Sequence, residues 1–166
     1  MNQDNLNELQ QITSQTKTDA VFSQKKAEQK AMLESFNVDF KRVKTEIIWP
    51  VLIDIGNELN KLGNDYHIDE EEDMVDATAH DSPSSLQFNL YPAGLDRAYY
   101  TPDATPYIKF YANPYARKVG IEVSTMMPGQ GGNIGTFGEY NLTQITSESV
   151  EKEVVTVLKE SMVLGK

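Results

Sequence analysis

The chain has 166 residues, no Cys and a formal net charge of −10. That length suits one domain that buries a core without staples, and the missing Cys excludes disulfides, thiolate metal ligands and cysteine nucleophiles. So acidic a chain is a poor partner for nucleic acid or anionic membrane, which demand clustered Lys and Arg, and no apolar run approaches the ~20 residues of a membrane span.

Residues 1–28 are rich in Asn and Gln. Leu6, Leu9 and Ile12 fall at helical spacing, but little apolar follows. This stretch reads as a polar N-terminal extension, either a disordered tail or a frayed helix. It lacks the basic and apolar regions of a signal peptide, which predicts a cytoplasmic protein. Residues 29–166 read as a single α+β domain.

From Ala31 a helical stripe emerges: Leu33, Phe36, Phe40, Val43 and Ile47. Pro50 then removes a backbone donor and meets the carbonyl of Glu46. Periodicity resumes with Leu52, Ile55, Leu59 and Leu62, and Gly63-Asn64 supplies a left-handed stop. One long helix kinked near Pro50, or two helices in tandem, is expected, with Trp49 in the core.

Tyr66 and Ile68 alternate as a first strand that runs into acids. Residues 65–81 carry eight acids (Asp65, Asp69, Glu70, Glu71, Glu72, Asp73, Asp76 and Asp81) and no Lys or Arg. The run reads as an acidic solvated loop, or as an edge strand on which charge blocks unwanted pairing. Leu86, Phe88 and Leu90 mark a second strand, and Ile108, Phe110 and Ala112 a third after a proline-rich loop over 92–106. Asn113-Pro114 starts a tight turn into a fourth strand at 118–126, where Val119, Ile121 and Val123 alternate with Gly120, Glu122 and Ser124. A glycine-rich loop, 128–138, leads to a short fifth strand near Tyr140 and Leu142. Thr146, Ser147 or Ser149 caps a last helix striped by Val150, Val154, Val157 and Leu158. The order predicts an antiparallel sheet of four to five strands with a long N-terminal helix and a C-terminal helix packed on one face.

Candidate sites follow from the residues left over. Six of the eight tyrosines lie between Tyr91 and Tyr115. Tyr91, Tyr107 and Tyr111 fall on the sheet face opposite the helices, where tyrosine buries much area at low entropic cost, as at protein interfaces. Asp69, Glu71 and Asp73 suit the steering of a basic partner. As a calcium loop starting at Asp69 the run fails, since Met74 and His80 stand where Gly and Glu are needed. Gly129, Gly131, Gly132 and Gly135 could border a ligand, but the loop neither opens a helix nor carries Gly-Lys-Ser/Thr. His67 and His80 match no metal or triad spacing. No catalytic residue, metal or cofactor is therefore expected.

Residues 116–146, ARKVGIEVSTMMPGQGGNIGTFGEYNLTQIT, resemble a pattern found in an uncharacterised family of small bacterial proteins. The resemblance implies bacterial origin and a compact α+β domain, and no activity. By class alone, small acidic cysteine-free α+β proteins are similar in kind to bacterial secretion chaperones, which dimerise and bind extended client segments. The resulting expectation is a non-enzymatic, adaptor- or chaperone-like interaction module, a homodimer or partner-binding protein. The alternative is a small-ligand binding protein or enzyme whose pocket, between sheet and helices, is gated by residues 128–138.

Overall fold

The structure is a computed structural model that describes residues 2–75, 81–95, 104–127 and 131–164. The chain divides into two compact units, Met1–Ser35 and Phe36–Lys166.

The first unit is helical. Helix α1 runs Gln3–Val43, and every residue from 2 to 32 is exposed. Local side-chain bonds support it: Gln15 donates to Asp19 and Gln24 to Glu28, each four residues on, while Thr13, Thr16 and Thr18 donate to carbonyls one turn back. The helix is thus continuous through residue 28.

The second unit takes over with the last turns of α1, where Phe36, Phe40 and Val43 are buried. A π-helical turn, Lys44–Ile48, joins α1 to α2, Trp49–Lys61, and is closed by the Trp49 N–H on the Lys44 carbonyl. Pro50 explains the position of this turn. Its ring leaves the Glu46 carbonyl without its helical donor, and a turn that takes in an extra residue absorbs the break. The turn also preserves burial. Phe40, Lys44, Ile48, Leu52 and Gly56 are all buried at a constant spacing of four. At 3.6 residues per turn each such step overshoots by ~40°, and the wider turn reduces the drift where it accumulates. Trp49 is half-buried against the core. Helix α2 ends as its sequence predicts: Gly63 has φ +88°, and the Asn64 N–H returns to the Leu59 carbonyl at 3.0 Å. Leu62, expected on the apolar stripe, is 76% exposed beyond the helix end.

Strands β1 (Asp65–Glu71), β4 (Ser85–Tyr91), β5 (Tyr107–Asn113), β6 (Lys118–Ser124) and β7 (Ile134–Tyr140) form one antiparallel sheet in the order β1-β4-β5-β6-β7. Two short strands, β2 (Met74–Val75) and β3 (Asp81–Ser82), pair separately. The acidic run is therefore strand over Asp65–Glu71. The fifth strand is also longer than expected. Residues 134–138, read from sequence as glycine-rich loop, belong to β7, and Phe137 is the extra residue of a bulge opposite Ile121 and Glu122. Glycines at 135 and 138 interrupt the alternation that would have betrayed the strand.

Helix α3, Ser147–Leu164, is capped by Thr146, whose Oγ1 accepts the Ser149 N–H while the Ser149 hydroxyl accepts the Thr146 N–H. The core joins Leu86, Phe88, Phe110 and Ile121 of the sheet to Phe40, Ile48 and Leu52 before α3 and to Val150, Val154 and Val157 on it. The opposite sheet face is not open. Asn89 and Ser124 are fully buried, Tyr91 and Tyr107 are 5% exposed, and Gln87, Lys109, Tyr111 and Glu122 are half-buried.

One contact sets how closely α2 approaches the sheet. The ring of Tyr66 stacks on Phe88, centroids 5.5 Å apart, and lies where a side chain at Gly56 would stand: a Cβ there meets the ring at 2.4 Å. Only glycine admits the ring. Gly56→Ala gains ~1 kcal/mol of helix propensity but incurs an overpacking cost of ~1–3 kcal/mol, so a net loss in urea unfolding is expected. Replacing Tyr66 by Leu beside it should recover part of that loss; unchanged stability in Gly56→Ala contradicts the contact.

Candidate functional site

Strand β1 sorts the acids by parity, since successive side chains point to opposite faces. Glu70 turns to Lys44, together with Glu72 just beyond the strand. The Lys44 side chain is 1% exposed; its Nζ lies 3.0 Å from Glu70 Oε1 and 3.7 Å from Glu72 Oε1. It also donates to Ser84 Oγ at 2.9 Å and to the Glu71 carbonyl at 3.4 Å. A second cation, Lys41, stands 3.8 Å from Glu72. The Lys44 hydrogen bond, aided by its charge, holds the Glu70 carboxyl below the usual carboxylate range, against the opposing effect of partial burial. The chemistry of this cluster is structural. Lys44 spends its donors on partners within the chain, and Ser84, which accepts from it, is 1% exposed.

Asp69, Glu71 and Asp73, the acids assigned to partner steering, are exposed. Glu70 and Glu72 thus neutralise an internal lysine, while Asp69, Glu71 and Asp73 remain as a surface field.

Of the three tyrosines expected on the contact face, two are not exposed. Tyr91 and Tyr107 are buried within the chain, and the Tyr107 hydroxyl donates to Glu122 Oε1 at 2.6 Å. Tyr111 is half-buried, its ring lying over the cross-strand Gly120, where a Cβ would meet it at 2.2 Å. Cross-strand packing over Gly120 accounts for the half-burial of Tyr111.

Of the proposed ligand loop, Gly129 lies outside the described residues. Gly131 and Gly132 precede β7 and are exposed, and Gly135 is inside it. Gly132 has φ +153°, and a Cβ there would meet the Thr125 carbonyl oxygen at 2.5 Å, which is a backbone reason for glycine. Between sheet and α3, a cavity lined by Phe110, Ile121, Tyr140 and Val150 holds about 10 Å³, room for about one water. His67 is exposed on β1, and His80 lies outside the described residues. Among the described residues no three His, Asp or Glu side chains gather as a metal site, and no helix is long and apolar enough to cross a membrane.

The feature that sequence reasoning missed lies between α2 and α3. These helices leave a groove of about 590 Å³. Val51, Leu59 and Leu158 form its floor; Ile55, Leu62 and Val155 its walls; Asp54, Glu58 and Glu151 its rim. Among the described residues no Lys or Arg lines it, although Lys61 bonds Glu58 at 2.8 Å at the helix end. Val155 is 49% exposed. The sequence did carry a signal. Val150, Val154 and Val157 satisfy the core stripe, which leaves Val155 as a surplus apolar residue on a second face.

No family model, no curated protein and no solved structure matches this chain.

The Lys44 cluster predicts a pH dependence. A carboxyl held low in the folded state adds stability above its unfolded pKa, and that stability fades as pH falls through the folded one. The native chain should therefore lose stability more steeply than Glu70→Gln as pH drops from neutral toward ~3, the two curves converging below the ordinary Glu value of ~4.3. Parallel curves in urea titrations would remove Glu70 from the account.

Proposed function

We propose that this protein is a non-enzymatic interaction module, adaptor- or chaperone-like, which receives a basic amphipathic helical segment of a partner protein in the groove between α2 and α3. The carrying observation is the groove itself: an apolar trough along two helices, rimmed by Asp54, Glu58 and Glu151. An apolar valley between two helices is what a third amphipathic helix packs into, with anchors at i, i+3, i+4 and i+7. The length fits. Pro50 to Lys61 spans 12 residues, or ~18 Å of helix, enough for about three turns of a bound segment. The rim sets the sign of the partner, because a cation beside each carboxylate is favoured while an acidic segment meets like charge.

The exposed acids at Asp69, Glu71 and Asp73 contribute a long-range field that raises the encounter rate of a basic segment without touching it. The half-buried Tyr111 retains a smaller role at most, since its ring already covers Gly120.

Binding of a fluorescent Leu/Lys amphipathic peptide to the full chain, followed by anisotropy, tests the reading. Saturable binding is expected, with no binding of a Leu/Glu peptide of the same pattern. The decisive variant is Val155→Glu. It adds a negative charge, so a purely electrostatic attraction would strengthen, whereas docking in the groove weakens by about tenfold through loss of a central apolar wall. Equal or tighter binding by that variant overturns the assignment.

A further inference from the structure

The two edges of the five-stranded sheet are built differently. Edge strand β1 is DYHIDEE, with Asp65, Asp69, Glu70 and Glu71 along it and Glu72 and Asp73 following. Edge strand β7 is IGTFGEY. It has no Pro and no Lys, and its single charge, Glu139, accepts a hydrogen bond from Asn113 Nδ2 at 3.0 Å. It also presents large apolar side chains to solvent: Ile134 is 53% exposed and Phe137 48%. An edge strand offers a row of unpaired N–H and C=O groups, and proteins blunt such edges with charge or proline. Charge guards β1, and among the described residues no strand pairs with the outer edge of β7.

We infer that β7 is a self-association edge: two copies of this chain pair antiparallel through Ile134–Tyr140 and join their sheets into one of ten strands. Charge selects this occupant. Pairing β1 with a second β1 sets acids against acids. Pairing β7 with a second copy's β1 would bury part of that acid run, and such a head-to-tail contact would propagate without closing. Pairing β7 with β7 about a twofold axis closes after two copies. With the axis near Phe137, residue 139 of one strand stands opposite 135 of the other, so the two Glu139 carboxylates lie on opposite sides of the axis, the two Phe137 side chains meet across it, and Ile134 of each copy stands opposite Tyr140 of the other. The surface shares no residue with the groove, so the inference stands apart from the function proposed above.

The bulge at Phe137 is the competing consideration. A bulge twists an edge and can serve as its guard. If it does so here, the chain is a monomer at every concentration, and the inference fails.

Light scattering after size exclusion, on the full chain across a dilution series, decides. The expected result is a mass that rises from 18.7 kDa toward twice that value as concentration increases. Phe137→Lys and Ile134→Lys, each at an exposed position and each adding the charge that the edge lacks, should hold the mass at the monomer value with an unchanged circular dichroism spectrum. Amide exchange should show protection that depends on concentration in 134–140 and none in 65–71. A monomer throughout, or a dimer that survives both lysines, overturns the assignment.

Discussion

The unit from residue 36 onward depends on how deeply α2 can sit against the edge of its sheet. Gly56 removes the side chain that would hold helix and strand apart, and the Tyr66 ring fills the space while stacking on Phe88. A side chain at 56 would push the helix outward and open the apolar layer beneath Leu52 and Ile48, both fully buried. Clamped against β1 in this way, α2 has its remaining flank beside α3, and there the two helices leave a trough instead of a closed seam. The groove is thus a consequence of where the helix is held.

Lys44 shows the same economy at the start of that helix. It sits in the π turn that Pro50 imposes, at a position in the buried stripe where an apolar residue would be ordinary. A buried ammonium carries a large desolvation penalty, and removing one partner of such a cluster leaves that penalty uncompensated. Glu70, Glu72, Ser84 and the Glu71 carbonyl offset it. The cluster ties the π turn to the β1 edge, and it uses charges from the run that lines that edge. One run of acids therefore serves an internal and an external purpose, separated by the alternation of the strand.

What could be read from the residues divides along physical lines. Alternation is local, so β4, β5 and β6 were legible from Leu86, Ile108 and Val119 onward. Stop and cap signals at Gly63-Asn64 and Thr146 are also local, and both stand where the sequence places them. Strand β7 was obscured because Gly135 and Gly138 carry no side chain and the bulge at Phe137 shifts the parity. The tyrosines mislead for another reason: alternation tells which face a residue takes and is silent on whether the chain covers that face, as it does over Tyr91 and Tyr107. The groove depends on the placement of two helices far apart in sequence. Only the surplus apolar residue Val155 hinted at it.

The central claim is that the surface between α2 and α3 is where a partner lands. Backbone amide chemical shifts of the isotope-labelled full chain, followed as a basic amphipathic peptide is added, test it most directly. The account predicts shifts concentrated in residues 50–62 and 147–158, with those of 69–73 smaller and abolished first by salt. Shifts confined to the acidic run, or scattered without a focus on the two helices, would contradict it.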